Sequence, residues 1–172
     1  MLHALKGKFV CEVLKRDKRL PSGLYLADRV DEKDNVARDI HTGNLLHFKS
    51  TGGRRFTYQD KKMISLFEDE VIAVEDDAGQ IKALGSMVIC KLRYDEKIGS
   101  LFIPDGAKQN SGSFMGEVVA IGEKFIDKDL HIGDEICYLR GEGYVFRKFY
   151  GNTRERLLAI KECWVYGKKE AL

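Results

Sequence analysis

The sequence predicts an all-β protein made of two small β-barrels in tandem, and three observations support that prediction. Short apolar or β-branched runs recur along the chain, separated mostly by Gly, Asp, Asn or Lys. No segment has the length, the period and the capping residues of a long amphipathic helix. The second half repeats motifs of the first half in the same order. Many short strands joined by turns are typical of a barrel or a sandwich.

The predicted strands form two series, one in each half of the chain. Those of the first half are Phe9–Val13, Leu24–Leu26, Leu45–Phe48, Arg55–Tyr58, Ile64–Phe67 and Val71–Val74. Those of the second half are Met87–Leu92, Leu101–Ile103, Gly116–Ile121, Asp134–Leu139, Tyr144–Phe149, Leu157–Ile160 and Cys163–Tyr166. The polar stretch Asp76–Gln80 separates the series, so we expect domains at residues 1–77 and 83–172. Domains of this size are only marginally stable alone, which favours burial between the two halves or in an oligomer.

Four pairs of segments indicate an internal duplication. The pairs are Lys8–Val13 with Met87–Leu92, Ser22–Asp28 with Gly99–Asp105, His41–Leu46 with His131–Ile136, and Glu70–Val74 with Glu162–Tyr166. The first pair places Cys11 and Cys90 in equivalent positions. One such match is expected by chance, whereas four in the same order argue for a repeat.

The charge balance argues against a nucleic-acid-binding protein. The chain has 29 basic and 27 acidic residues, for a formal net charge of +2. A nucleic-acid binder normally has a clear basic excess on one face. Short basic groups occur at Lys15–Arg19 and at Arg54 and Arg55, beside acidic residues or turns. We interpret them as solvated surface in preference to a phosphate site.

Hydropathy and cysteine spacing predict a cytoplasmic protein that does not enter the membrane. The first eight residues lack the apolar core of a signal peptide, and no stretch approaches the ~18 apolar residues of a membrane span. The four cysteines, which lie in apolar runs without metal-type spacing, are Cys11, Cys90, Cys137 and Cys163. We expect reduced, buried thiols and neither a metal nor another cofactor.

No residue pattern indicates an enzyme. His41 and His131 each precede the glycine of a turn, which suggests a remnant of duplication in preference to a metal site. Gly141-Glu142-Gly143 lacks the surroundings of a phosphate-binding loop, so we predict a hairpin turn there. No combination of nucleophile and base is apparent, and we therefore expect no catalytic residues.

Four motifs of the second half resemble the GroES-like co-chaperonin family, in order and along nearly its whole length. They are Val88–Lys91 for the family's V-I-V-K, Gly99–Asp105 for its Gly, apolar tripeptide and Pro-Asp, Gly116–Gly122 for G-E-V-V-A-V-G, and Ile132–Ile136 for V-G-D-x-V. The first half resembles the family less. The segment between Asp28 and Gly43 is short and contains no G-E-V-V-A-V-G. The resemblance implies two tandem GroES-like β-barrels, of which the first is shortened.

The resemblance also implies a function. In the family, a mobile loop docks an apolar tripeptide into a groove of the nucleotide-bound chaperonin, and a homo-oligomeric ring of such loops caps the folding chamber. The corresponding chaperonin-binding residues here are Leu24, Tyr25, Leu26, Leu101, Phe102 and Ile103. The loop before the second tripeptide is about two residues shorter than the loop before the first. We therefore expect a co-chaperonin whose partner is a GroEL-like chaperonin.

Two alternatives remain open from the residues alone. Leu24–Leu26 is also compatible with an ordinary core strand whose leucines point inward. The whole chain is also compatible with a structural or assembly protein, such as a phage virion component, that uses a GroES-like barrel. The divergent first half and the lysine-rich tail Lys168–Leu172 favour that alternative.

Overall fold

The computed structural model describes residues 4–14, 35–92, 97–98, 101–102, 115–139, 141–150 and 156–169. In these ranges the protein consists of β-strands, turns and two short 3-10 helices, so the predicted all-β class is confirmed. Within the same ranges, no helix has the length and apolar character needed to cross a membrane.

The chain divides into two compact units. The first consists of Met1–Gln80 together with Phe149–Gly151, and the second consists of Ile81–Lys148 together with Asn152–Leu172. The three residues Phe149–Gly151 therefore belong to the first unit although their neighbours in the chain belong to the second. The sequence gives no sign of this exchange.

The first unit contains six strands that form one antiparallel sheet. They are β1 (Lys8–Val13), β2 (Val36–Asp39), β3 (Leu45–Phe48), β4 (Arg54–Tyr58), β5 (Lys61–Phe67) and β6 (Val71–Glu75), with a 3-10 helix at Glu68–Glu70. Their order in the sheet is β4-β5-β1-β2-β3-β6. β1 is central, because it pairs with both β5 and β2.

The second unit contains nine strands. They are β7 (Ile81–Lys82), β8 (Met87–Leu92), β9 (Lys97–Ile98), β10 (Leu101–Phe102), β11 (Met115–Ile121), β12 (Glu135–Tyr138), β13 (Tyr144–Arg147), β14 (Arg156–Lys161) and β15 (Val165–Lys168), with a 3-10 helix at Glu162–Trp164. Six of them form a sheet in the order β13-β14-β8-β11-β12-β15. β9 and β10 form a separate two-stranded sheet, and within the described ranges β7 belongs to neither of these sheets.

The second unit repeats the strand order of the first. β8 takes the central place of β1, and β14 and β11 flank it as β5 and β2 flank β1. The register agrees as well. Cys11 of β1 lies opposite Ile64 of β5, and Cys90 of β8 lies opposite Leu158 of β14. Within the described residues, β4 does not pair with β6, nor β13 with β15.

An irregularity in strand pairing occurs at the same place in both units. The register between β3 and β6 shifts between His47 and Phe48. The register between β12 and β15 shifts between Cys137 and Tyr138, the equivalent residues. A bulge bends a strand and increases its twist, and related proteins tend to keep it. The common bulge and the common order give the two units one architecture.

Strand β2 was not predicted from the sequence. Val36–Asp39 lies between β1 and β3, which is the place of β11 in the second unit, but it has four residues against seven in β11. The shortening continues after it, since residues 40–44 lead to β3 whereas residues 122–134 lead to β12. The longer segment places Phe125 and Leu130 in the core of the second unit.

The predicted equivalence of Glu70–Val74 with Glu162–Tyr166 is wrong in register by two residues. The 3-10 helix before β6 begins at Glu68 and the one before β15 begins at Glu162, so Glu162 corresponds to Glu68 and not to Glu70. In both helices, the N–H of the following valine donates to the C=O of that first glutamate. The apolar pattern that continues through Cys163 and Trp164 was interpreted as a strand, because a single 3-10 turn has no distinct periodicity.

The predicted hairpin turn at Gly141-Glu142-Gly143 is also wrong. β12 pairs with β11 and β15, whereas β13 pairs with β14, so the segment joins strands that are not neighbours. The equivalent connection in the first unit contains Gly52 and Gly53 and joins β3 to β4. Their hydrogen bonds correspond too. The N–H of Lys49 and of Leu139 each donates to the last C=O of the following 3-10 helix, at 3.0 and 2.9 Å.

Gly53 and Gly143 hold equivalent positions just before β4 and β13. Their φ angles are +78° and +100°, in the region that favours glycine. A Cβ atom on Gly53 would lie 2.6 Å from the Ile64 side chain, and one on Gly143 would lie 2.8 Å from Leu158. Ile64 and Leu158 are themselves equivalent core residues. Both glycines are therefore required by backbone conformation and by packing.

Each unit has its own apolar core. In the first unit it includes Val10, Cys11, Leu45, Leu46, Ile64, Leu66 and Ile72, all at most 7% exposed. In the second it consists of Val88, Cys90, Val118, Phe125, Leu130, Ile136, Tyr138, Leu158 and Ile160. Burying one large apolar side chain contributes about 1.5–3 kcal/mol, so these residues provide the main stabilisation of both sheets.

We predict that Gly53→Ala and Gly143→Ala destabilise the protein more than Gly43→Ala does. All three glycines have positive φ, but a Cβ atom on Gly43 would meet nothing within 4 Å. Gly43→Ala therefore costs only the backbone strain of about 1–2 kcal/mol, whereas the other two add about 1–3 kcal/mol of overpacking. Urea unfolding followed by circular dichroism measures the difference. Equal losses for all three variants would contradict the assigned packing.

Candidate functional site

Two long connections leave the sheets at equivalent places. Residues 14–35 join β1 to β2, and residues 93–114 join β8 to β11. Each joins neighbouring antiparallel strands, which a two-residue turn is able to connect. Both are longer than a turn between adjacent strands requires, and the second contains the strands β9 and β10. The two connections are equal in length, whereas the predicted difference concerns only the part before each tripeptide and stays a prediction.

The predicted chaperonin-binding residues all belong to these two connections. Leu24, Tyr25, Leu26 and Ile103 lie outside the described residues. Leu101 and Phe102 form β10, and they pair with Ile98 and Lys97 of β9. In the part of the chain that the structure describes, β10 pairs with no strand of the six-stranded sheet. A core strand would join that sheet, so the pairing of β10 favours a separate role for the second tripeptide.

The bases of both connections are packed tightly. In the first unit, the N–H of Leu14 donates to the C=O of Val36 at 3.2 Å, just beyond the last strand pair. In the second unit, Gly116 lies at the corresponding point, where a Cβ atom would be 2.6 Å from Cys90 Sγ. The glycine that opens the Gly116–Gly122 motif is thus required by its contact with the central strand. The closing glycine, Gly122, packs against the backbone of Gly85, which leaves no room for a side chain.

The buried thiols are unsuited to catalysis. Cys11 and Cys90 have no exposed surface, and burial raises the pKa of each to about 12, with a smaller contribution from Asp39 for Cys11. A thiol must ionise to act as a nucleophile or as a metal ligand. The prediction of four buried thiols is wrong for Cys163, which is exposed, and Cys137 is half-buried. A group of three or more metal-ligating side chains is absent from the described ranges.

A small cavity in the second unit is too confined for a typical substrate. It has a volume of about 120 Å³ and is lined by Ile81, Lys91, Val119, Lys148 and Leu157. Sites for small molecules usually measure about 300–1,000 Å³. Its two lysines and three apolar residues offer no arrangement of nucleophile and base.

A buried polar cluster in the first unit was missed by sequence reasoning. His47 Nε2 lies 2.7 Å from Glu75 Oε2, and the two side chains are 2% and 0% exposed. The Glu75 carboxylate also accepts the N–H of Phe149 at 2.8 Å and the N–H of Tyr150 at 2.7 Å. The only sequence signal is a charged residue at the end of an apolar strand. Because the pair is inaccessible, it acts as structural support and cannot reach a substrate.

The environment of Glu75 stabilises its ionised form. Burial alone raises the pKa of a carboxyl group, but the hydrogen bonds from His47 and from the Phe149 and Tyr150 amides outweigh burial and hold the pKa of Glu75 below its ordinary value of 4.5. Arg38 also holds Tyr150 in place, since its guanidinium donates to the Tyr150 hydroxyl at 2.5 Å. The same guanidinium donates to the C=O of Gly43 at 3.2 Å. Glu75 thereby fixes two residues that are distant in sequence.

The described residues thus contain a buried cluster that holds Phe149 and Tyr150, and the chain contains two connections of equal length whose residues lie mostly outside the described ranges. No protein-family model matches the chain.

We predict that Glu75→Gln lowers stability at neutral pH by about 3–5 kcal/mol, the usual cost of removing one partner from a buried pair. The wild-type carboxylate, with its depressed pKa, stabilises the fold above pH 4.5 and loses that contribution as the pH falls through its folded-state pKa. The difference in melting temperature between the two proteins should therefore shrink below pH 4.5. Glu142→Gln, at an exposed position, serves as the control and should change little. A difference independent of pH would contradict the ionised state of Glu75.

We predict that one thiol, Cys163, reacts rapidly with Ellman's reagent in the native protein. Cys11 and Cys90 should react only after unfolding, because they are buried and their pKa is about 12. Cys163→Ser should remove the fast phase and leave the unfolding-dependent phase unchanged. A fast phase that persists in this variant would be inconsistent with the assigned exposure.

Proposed function

We propose that the chain is a co-chaperonin built from two GroES-like barrels, which caps a nucleotide-bound GroEL-like chaperonin through its two long connections. The observation that carries the proposal is the pair of equal connections, placed at the same point of two units with one strand order. The resemblance of Gly99–Asp105 and Gly116–Gly122 to the family supports it. The proposal assigns chaperonin binding to Leu24, Tyr25, Leu26, Leu101, Phe102 and Ile103.

The energetics of docking fit a reversible lid. Each buried apolar side chain contributes about 1.5–3 kcal/mol, whereas ordering the backbone costs about 1–2 kcal/mol per residue. A single tripeptide therefore binds weakly, and a ring of chains binds through multivalency. The pairing of β10 with β9 lowers the cost for the second tripeptide, since Leu101 and Phe102 are already in extended conformation.

Each chain of the proposed ring carries two tripeptides that are candidates for docking. The bases of both connections lie at the ends of the central strands, β1 and β8. The equal lengths give the two tripeptides a similar reach. We infer that both dock, with the second favoured by its paired hairpin.

We predict nucleotide-dependent co-elution of the chain with a GroEL-like chaperonin. Leu24→Asp and Leu101→Asp should each weaken the complex, because a charged side chain cannot enter an apolar groove without a large desolvation cost. The double variant should abolish co-elution. Ile132→Asp, which changes a 71% exposed residue on a turn, is the matched control and should bind normally.

The outcomes separate the proposal from the alternative of an assembly protein. No complex in ATP or ADP, or an equal loss with Ile132→Asp, would overturn the co-chaperonin proposal. If the two tripeptide variants instead disrupt a stable oligomer of the chain itself in the absence of chaperonin, the tripeptides serve assembly. Native mass spectrometry, with and without chaperonin and nucleotide, measures both.

A further inference from the structure

The hairpin tip Arg54–Lys62, here called the basic hairpin, concentrates positive charge. It contains Arg54, Arg55, Lys61 and Lys62 but one acidic residue, Asp60, and all nine of its residues are exposed. The local excess of positive charge is larger than the formal net charge of +2 on the whole chain. A concentrated charge of one sign attracts partners of the opposite sign.

The basic hairpin also offers an open strand edge. β4 is the end strand of its sheet and pairs only with β5 among the described strands. In an antiparallel strand, every second residue directs its N–H and C=O away from its existing neighbour. Such an edge is able to accept an additional strand through main-chain hydrogen bonds.

Charged residues on an edge strand also serve to prevent aggregation, and the second unit tests that explanation. β13 holds the equivalent edge, with Tyr144 and Val145 where β4 has Arg54 and Arg55. Phe146 is 9% exposed there, whereas its equivalent Phe56 is 36% exposed. β13 carries its basic residues further along, at Arg147 and Lys148, so the architecture does not fix paired arginines at the start of this edge, and their position on β4 needs another reason.

The two faces of β4 differ in chemistry. Arg54, Phe56 and Tyr58 alternate on one face, so charge and apolar surface lie side by side. Arg55 and Thr57 lie on the other face. An added strand that alternates acidic and apolar residues would match this pattern, with carboxylates beside Arg55 on one face and apolar groups beside Phe56 and Tyr58 on the other.

We propose that the free edge of β4 binds an acidic peptide segment in extended conformation, which adds to the sheet as a further strand. This site goes beyond the proposed co-chaperonin function and does not depend on it. A single-stranded nucleic acid fits less well. A nucleic acid has no strand backbone with which to satisfy the open N–H and C=O groups of the β4 edge.

The test uses the full chain and a fluorescein-labelled hexapeptide that alternates glutamate and valine. Fluorescence anisotropy should show saturable binding that weakens as salt increases. Arg55→Glu should weaken binding about tenfold, while Lys82→Glu, with the same charge change on an exposed residue of β7, should not. Arg55 is chosen because Arg54 also acts electrostatically on Glu70. Circular dichroism checks that both variants fold.

Two further probes distinguish strand addition from simple charge attraction. The same peptide with N-methyl groups on alternate residues keeps its charge but loses its donors on one edge, so it should bind at least tenfold more weakly. Hydrogen exchange should show peptide-dependent protection of alternate amides in Arg54–Tyr58. Equal binding of the N-methylated peptide, stronger binding of oligouridylate, protection caused by self-association without peptide, or no binding at 1 mM peptide would each overturn the proposal.

Discussion

The pairing of one central strand on both of its edges is the constraint on which the rest of each unit depends. β1 and β8 each pair with two antiparallel neighbours, and each carries a cysteine without exposed surface in its middle. A residue inside a doubly paired strand has its backbone groups satisfied by its neighbours and its side chain held by the core. The positions of the other strands, the bulge and the bases of both long connections follow from this strand.

The two units share an architecture but differ in the polar side chains that they bury. The first unit buries His47 and Glu75, and so captures Phe149 and Tyr150. The equivalent of His47 in the second unit is Cys137, whose thiol lies 2.9 Å from Met115 Sδ. Removing a charge from water is costly unless hydrogen bonds replace the lost hydration. The Glu75 cluster meets that condition with three donors, which explains why a carboxylate is tolerated at a fully buried position.

Differences between the units also separate scaffold from candidate function. The order of strands, the positive φ of Gly53 and Gly143 and the two 3-10 helices are common to both units and belong to the scaffold. The equal long connections are common as well, but the strand pairing does not need their length, since their ends lie on adjacent strands. The paired arginines at the start of β4 have no counterpart in β13, which carries Tyr144 and Val145 there and its basic residues only at Arg147 and Lys148. Features that the scaffold does not require are the better candidates for binding.

The sequence by itself determined the all-β class, the bounds of most strands and the parallel between the halves. These depend on local alternation and on turn residues, which act over a few positions.

The sequence did not predict β2, because Val36–Asp39 is short and half polar. Its Asp39 is buried only through the hydrogen bonds that it accepts from the Thr42 hydroxyl and from the turn amides. The role that the sequence predicts for the tripeptide residues stays a prediction, and of these residues Leu101 and Phe102 are described as a strand. Only the tertiary structure decided that Gly141–Gly143 joins non-adjacent strands, that Phe149 and Tyr150 belong with Glu75, and that β4 is an open edge. Those outcomes depend on which residues distant in sequence meet, because burial and hydrogen bonding between them outweigh local preference.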